Sequence, residues 1–210
     1  MGFHLPKIYP ITDTILSGLS HAEQVKRLIA GGATFIQLRE KSNSLRAFCT
    51  DAAEAISIAR SAGANVIIND RVDIALALGA SGVHLGQADM PVAAARRLLG
   101  DDAIIGFSTH NLEQVKAALD LPINYLAFGP IFPTQSKRNP DPVAGLGALG
   151  IIRSLNSRLP VVAIGGIDKS NVMGVWSAGA DCAAIISGIL AEPAQISRNV
   201  RDFLALTSVQ

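Results

Sequence analysis

Short apolar runs alternate along the chain with segments whose apolar residues recur every third or fourth position. Several helix-like segments end in a Gly/Ala cluster, and an apolar run follows each time. The copies are Ala30-Gly31-Gly32-Ala33 before 35–38, Ala62-Gly63-Ala64 before 66–68, Leu78-Gly79-Ala80 before 83–85, and Ala178-Gly179-Ala180 before 183–186. Glycine suits a helix end where the chain must turn left-handed to re-enter a sheet. Strand alternating with helix predicts βα units and a parallel sheet. The pattern predicts strands at 8–12, 35–39, 66–69, 82–85, 104–108, 125–128, 161–165 and 183–187. Helices are predicted at 21–30, 44–61, 72–78, 91–99, 112–119, 147–156, 171–178 and 193–206. In the last of these, Ile196, Val200, Phe203 and Leu204 share one helix face. Eight such units in 210 residues predict a single-domain (β/α)8 TIM barrel spanning 1–210, near the small end for that fold. A doubly wound open sheet is the alternative. No linker or low-complexity segment interrupts the pattern.

Composition narrows the partners. Apolar residues make up 49% and aromatic residues only 5%, so the core is expected to be aliphatic and alanine-rich. Charged residues are 17%, below the average of about 25%. A net charge of +1 implies no general attraction to nucleic acid or acidic membrane, so anion recognition must be local. Cys49 and Cys182 are far apart and form no metal-ligand pattern, which predicts buried free thiols. No run approaches the roughly 18 apolar residues of a membrane span, and the N-terminus has no secretory pattern. A reduced, cytoplasmic setting is the default expectation. Oligomeric state is not encoded in any motif.

Candidate chemistry begins in the stretch 69–89, NDRVDIALALGASGVHLGQAD. It reads as one strand–helix–strand unit with a carboxylate, Asp70 or Asp89, just past each strand end. Parallel strands put those ends on one side of the sheet, so both carboxylates can face one pocket. Two carboxylates with an amide nearby suit a hard cation such as Mg2+. The competing reading makes both aspartates helix N-caps.

Gln37, Arg39 and Lys41 share parity at the end of the second strand, with Leu38 turned toward the helices. A guanidinium fork beside an ammonium fits phosphate oxygens. Two buried cations without an anion are costly, and Glu40 is a candidate to neutralise one. Ser108 and His110 also share parity. Without an acid partner or a nucleophile elbow they make a poor catalytic pair, and Ser108 reads better as a hydrogen-bond donor to a ligand. His84, mid-strand, reads as a satisfied barrel-interior residue. Gly165-Gly166 and Ser187-Gly188 end the last two strands, where barrels often bind phosphate through backbone N–H groups. The irregular segment 130–145 follows a strand end and reads as a lid, against a plain surface excursion. Two anion sites on one rim, one with a metal, predict a Mg2+-assisted transferase or lyase acting on phosphorylated small molecules.

At these residues the chain resembles the thiamin phosphate synthase family. The likeness is carried by Gln37-Leu38-Arg39-Glu40-Lys41, Asn69-Asp70, the run from Gly82 to Asp89, and Gly106-Phe107-Ser108-Thr109-His110. It continues through Gly129-Pro130-Ile131-Phe132-Pro133-Thr134-Gln135-Ser136-Lys137, Ala163-Ile164-Gly165-Gly166-Ile167 and Ile186-Ser187, in family order. The resemblance implies a (β/α)8 barrel that joins 4-amino-2-methyl-5-(diphosphooxymethyl)pyrimidine to 4-methyl-5-(2-phosphooxyethyl)thiazole. Products would be thiamin phosphate and pyrophosphate, by early pyrophosphate departure and capture by the thiazole nitrogen. It implies that Arg39, Lys41, Asn69 and Lys137 hold the diphosphate, with Gln37 and Ser108 nearer the pyrimidine. It implies Asp70 and Asp89 as Mg2+ ligands, and Thr134, Ser136, Gly166, Ile186 and Ser187 around the thiazole phosphate. Arg39, Lys41, Ser108 and Lys137 would be the catalytic set. Ser136 departs from a family position commonly Thr, and it keeps a hydroxyl. Two rivals are a thiazole tautomerase-like barrel, kept open by His110, and a non-catalytic phosphate-ligand sensor.

Overall fold

The computed structural model describes residues 4–41, 44–134, 141–156 and 158–207. Strands β1 (Ile8–Pro10), β2 (Phe35–Leu38), β3 (Asn65–Asn69), β4 (Gly82–Leu85), β5 (Ile104–Thr109), β6 (Tyr125–Phe128), β7 (Val161–Ile164) and β8 (Cys182–Ile185) alternate with helices. They form one 8-stranded sheet in the order β1-β8-β7-β6-β5-β4-β3-β2. Each of these neighbouring pairs is parallel. An isolated parallel bridge, Ile11 to Gln37, joins the two ends and closes the barrel. That agrees with the predicted (β/α)8 architecture and excludes the open sheet.

The helices are α1 (Thr14–Ser17), α2 (His21–Ala30), α3 (Leu45–Ser61), α4 (Val72–Leu78), α5 (Val92–Leu99), α6 (Leu112–Ala118), α7 (Gly145–Leu155), α8 (Val172–Ser177), α9 (Ser187–Leu190) and α10 (Ile196–Thr207). The Gly/Ala echo has one structural cause. At each copy an alanine N–H reaches back past the helix end to a carbonyl five residues earlier. The bonds are Ala33 to Leu28 (3.0 Å), Ala64 to Ala59 (2.9 Å), Ala80 to Ala75 (3.0 Å) and Ala180 to Val175 (3.3 Å). This is the long bond of a glycine-ended helix cap. Gly79, for one, takes φ 62°, which a Cβ would disfavour.

Two corrections concern the predicted elements. The eighth strand ends at Ile185, and Ser187 begins α9 instead of ending a strand. The short α1 was not expected. Asp13 caps it by accepting from Ile15 and Leu16 N–H groups, and Gly18 ends it at φ 66°. The predicted lid falls partly at 135–140, outside the described residues. Its flanks are tied down: Ile131 and Phe132 donate to the carbonyls of Ile164 and Gly165, and Ala144 donates to Pro130.

Strand parity sorts the core into two parts. Leu38, Ile68, Val83, Leu85, Ile105 and Leu126 point outward and pack with the helices. Tyr9, Ile11, Phe35, Ile67, Tyr125, Val162 and Cys182 point inward and fill the barrel. Cys182 is a buried free thiol as expected, whereas Cys49 is only half-buried. Among the described residues no helix is long and apolar enough to cross a membrane.

Candidate functional site

A cavity of about 580 Å³ opens at the C-terminal ends of the strands, within the usual range for small-molecule sites. Its lining includes Gln37, Arg39, Lys41, Asn69, Asp70, Asp89 and Ser108 from the first five strand ends. Thr134, Gly166, Ile186 and Ser187 line it from the later ones. Ser136 and Lys137, the other two candidates, lie outside the described residues.

The cationic side is built from strand parity. Gln37 is inward and buried, while Arg39 and Lys41 continue the same face past the strand end. Arg39 Nη1 stands 3.4 Å from Asp13 Oδ2, and Lys41 Nζ donates to Asp70 Oδ2 at 2.5 Å. Glu40 was a candidate to neutralise one cation. Its carboxylate faces His21 Nε2 at 3.3 Å and accepts from Thr14 Oγ1 at 3.5 Å.

The aspartates are not helix caps. The N-cap positions of α4 and α5 are Arg71 and Pro91, neither with a capping side chain. Asp70 instead takes φ 63° at the β3 end, where its N–H donates to the His84 carbonyl at 2.8 Å. Aspartate tolerates this left-handed region better than most residues. Asp89 accepts from the Gly86 N–H at 2.6 Å, which folds the 86–89 loop back over the β4 end. Burial raises the Asp89 carboxyl above its ordinary value. The Gly86 N–H opposes this, and the adjacent Asp70 carboxylate adds to it.

A divalent cation fits this donor set. Two adjacent carboxylates that repel each other, one already raised, are relieved by a positive ion between them. Among the described residues no cluster of three or more His, Cys, Asp or Glu exists. The pattern matches an ion held by one or two carboxylates together with substrate phosphates.

Ser108 does not pair with His110. Its hydroxyl meets His84 Nε2 at 2.8 Å, while His110 Nδ1 lies 2.8 Å from the Gly129 carbonyl. The other ring nitrogen of His84 faces the Tyr125 hydroxyl at 3.0 Å, so no carboxylate backs the pair. Burial pushes the His84 imidazole down to about 4, and pushes the phenols of Tyr9 and Tyr125 up. All three stay neutral near pH 7. His84 is satisfied inside the barrel, as expected, yet it also lines the cavity. Sequence reasoning missed Tyr9 and Tyr125. The available signal was parity, since each sits two residues before an inward-facing position of its own strand.

At the opposite rim the β7 end approaches the 130–133 segment closely. A Cβ on Gly165 would lie 2.5 Å from Pro130 Cβ, and one on Gly166 would lie 2.4 Å from the Pro133 carbonyl oxygen. Glycine here lets the 130–133 segment pack directly on the β7 end, and both glycines also line the cavity. Gly166 and Ser187 from neighbouring strand ends thus share one wall.

The sequence pattern of the family described as thiamine monophosphate synthase matches residues 8–189. A thiamine-phosphate synthase of Koribacter versatilis is 43% identical over 201 residues, covering 92% of this chain and 93% of that protein. One of Chloroflexus aurantiacus is 44% identical over 204 residues, covering 97% and 93%. The solved thiamine phosphate pyrophosphorylase of Pyrococcus furiosus superposes with a TM-score of 0.86 at 34% identity, covering 97% of this chain and 96% of that one.

Proposed function

The chain belongs to the thiamine monophosphate synthase family, whose enzymes are transferases, and we propose that it joins a pyrimidine diphosphate to a thiazole phosphate. The substrates are 4-amino-2-methyl-5-(diphosphooxymethyl)pyrimidine and 4-methyl-5-(2-phosphooxyethyl)thiazole. The products are thiamin phosphate and pyrophosphate. The observation that carries this reading is the single cavity with Arg39, Lys41, Asp70 and Asp89 at one end and the glycine-ended strand at the other. One end suits a diphosphate and the other a monophosphate.

The carbon–oxygen bond of the pyrimidine methylene breaks, and its electron pair leaves with pyrophosphate. The thiazole nitrogen lone pair then forms the new carbon–nitrogen bond. No protein nucleophile takes part, and the Ser108–His84 pair, with Tyr125 behind it, is not built as one. Arg39, Lys41 and Asn69 hold the diphosphate oxygens and stabilise the charge that develops on them. Lys137 belongs to the same set by family likeness. Asp70 and Asp89 would hold Mg2+, which when bound supplies positive charge to the leaving phosphoryl oxygens. Gln37 and Ser108 orient the pyrimidine. Thr134, Ser136, Gly166, Ile186 and Ser187 take the thiazole phosphate, mainly with N–H and hydroxyl groups. Holding both partners in line supplies the remaining acceleration.

A coupling assay with purified protein tests this. The two substrates are mixed with Mg2+ or with EDTA, and thiamin phosphate and pyrophosphate are followed. Equal release of both, abolished by EDTA, is expected. No product from folded protein beside an active control enzyme would sink the reading.

A further inference from the structure

A buried polar chain crosses the barrel from β2 to β5. Gln37 Nε2 donates to Tyr9 Oη at 3.0 Å. Tyr9 Oη meets Tyr125 Oη at 3.0 Å, and Tyr125 Oη meets His84 Nδ1 at 3.0 Å. His84 Nε2 then meets Ser108 Oγ at 2.8 Å, at the cavity wall. Barrel closure brings Tyr9 and Tyr125 together, while His84 and Ser108 meet between the paired strands β4 and β5. Gly106 clears the way, because a Cβ there would sit 2.0 Å from Tyr125 Cζ.

Such a chain has a direction. A phenol carries one hydrogen to give, and a neutral imidazole carries one N–H and one lone pair. The choice made at one end therefore propagates. The Gln37 amide donates to Tyr9, and the arrangement that uses every hydrogen inside the chain then has Tyr9 giving its hydrogen to Tyr125. Tyr125 then gives to His84 Nδ1, which must be the bare nitrogen. Nε2 carries the proton and donates to Ser108 Oγ. The Ser108 hydroxyl hydrogen is left for the cavity. Turning the Gln37 amide over would reverse every link and present Ser108 as an acceptor.

We propose that Gln37 is a positioning residue that, through Tyr9, Tyr125 and His84, fixes the Nε2–H form of His84 and presents Ser108 to the substrate as a hydrogen-bond donor. The substrate side of this inference rests on the function proposed above, which puts an acceptor atom of the pyrimidine against Ser108. The internal side does not. Burying so many polar groups is costly unless each is satisfied, and aliphatic residues would fill the space as well. Among the described residues no buried side-chain nitrogen or oxygen lacks a partner. A donor fixed in advance needs no reorganisation when the substrate arrives.

The test reads the His84 ring directly. Protein labelled with 15N-histidine is examined by NMR without substrate, and His84 is assigned by comparison with His84→Gln. The wild-type ring is expected wholly as Nε2–H. Gln37→Met removes the first donor and Tyr9→Phe cuts the chain, so each should give a measurable Nδ1–H fraction. Tyr9→Phe, which leaves Gln37 in place for the pyrimidine, should also lower kcat for coupling by about tenfold, a loss that packing alone would not link to the tautomer. An Nδ1–H ring in the wild type would overturn the proposal. So would an unchanged tautomer in both variants when they are folded. If neither variant folds, the wild-type spectrum decides. Failure of the wild type to couple the substrates would remove the proposed reaction but not the tautomer result, so the two claims fail separately.

Discussion

Asp89 is held in a position that costs the empty protein. Burial and the neighbouring Asp70 raise its carboxyl above the ordinary 3.8 despite the Gly86 N–H. A raised carboxyl favours the neutral form in the fold. Its stabilising contribution is present at low pH and is lost as pH rises from the unfolded value through the folded one. At neutral pH the ionised group is therefore a net cost unless a cation shares the site. Asp89→Asn keeps an oxygen for the Gly86 N–H and removes the charge. In EDTA the variant should melt at or above the wild-type temperature. Added Mg2+ should raise the wild-type melting temperature by several degrees and the variant's much less, and coupling should fall at least tenfold. Equal Mg2+ shifts in thermal melts of the two proteins would remove Asp89 from the proposed metal site. The adjacency behind this was legible in sequence, because Asp70 and Asp89 each follow a strand end and parallel strands end on one side. The Gly86 contact was not, because it depends on how the 86–89 loop folds back.

The βα unit is the scale at which the sequence was most readable, and its exceptions have physical causes. The glycine-ended caps at Ala33, Ala64, Ala80 and Ala180 are local, made within six residues, so they leave a repeating mark. Helices α1 and α9 are four residues each, too short to show a hydrophobic period. Shared inward parity was readable for Gln37, Arg39 and Lys41. What lies opposite them was not, since Tyr9 and Tyr125 meet across 116 positions only after the barrel closes. The partner of Ser108 was not readable either: His84 arrives from the neighbouring strand β4. Gly106 records that cross-strand packing as a missing side chain. Its would-be Cβ overlaps the Tyr125 ring, whose centroid lies 5.6 Å from the stacked His84 ring. Gly106→Ala should therefore destabilise by about 1–3 kcal/mol, the usual cost of overpacking a filled core. It should also perturb the His84 ring signals. Urea melts that match the wild type within error would show that the ring has room to move.

At the scale of the whole barrel, closure is the least regular joint. Neighbouring strands elsewhere share registers of several residues, whereas β1 and β2 share the isolated Ile11–Gln37 bridge. The seam is reinforced from outside the ladder. Thr12 donates its N–H to the Gln37 carbonyl at 2.9 Å, and its hydroxyl meets His21 Nδ1 at 2.7 Å on α2. Helix α10 and the turn before it then clasp α2: Ser197 Oγ donates to the Arg27 carbonyl at 2.8 Å, and Arg27 Nη1 donates to the Pro193 carbonyl at 3.0 Å. The clasp is tight at Gly31, where a Cβ would lie 2.6 Å from Val200 Cβ and 2.7 Å from the Ser197 carbonyl oxygen. Gly31→Ala should push α10 outward at a cost of about 1–3 kcal/mol. The control is Gly147→Ala on α7, where a Cβ meets nothing within 4 Å, and which should be neutral or stabilising by up to about 1 kcal/mol. Because the seam depends on α2 staying in place, the loss should be regional. Native-state hydrogen exchange should speed up at Thr12 and along β2 before it does at β5 and β6. Uniform acceleration over all strands would mean that α10 stabilises the barrel as a whole and not the seam. The site lies across this joint, with Tyr9 and Ile11 on one side and Arg39 and Lys41 on the other. On the proposed assignment, a loosened seam should weaken binding of the pyrimidine diphosphate more than that of the thiazole phosphate, whose proposed wall is built on β7 and β8.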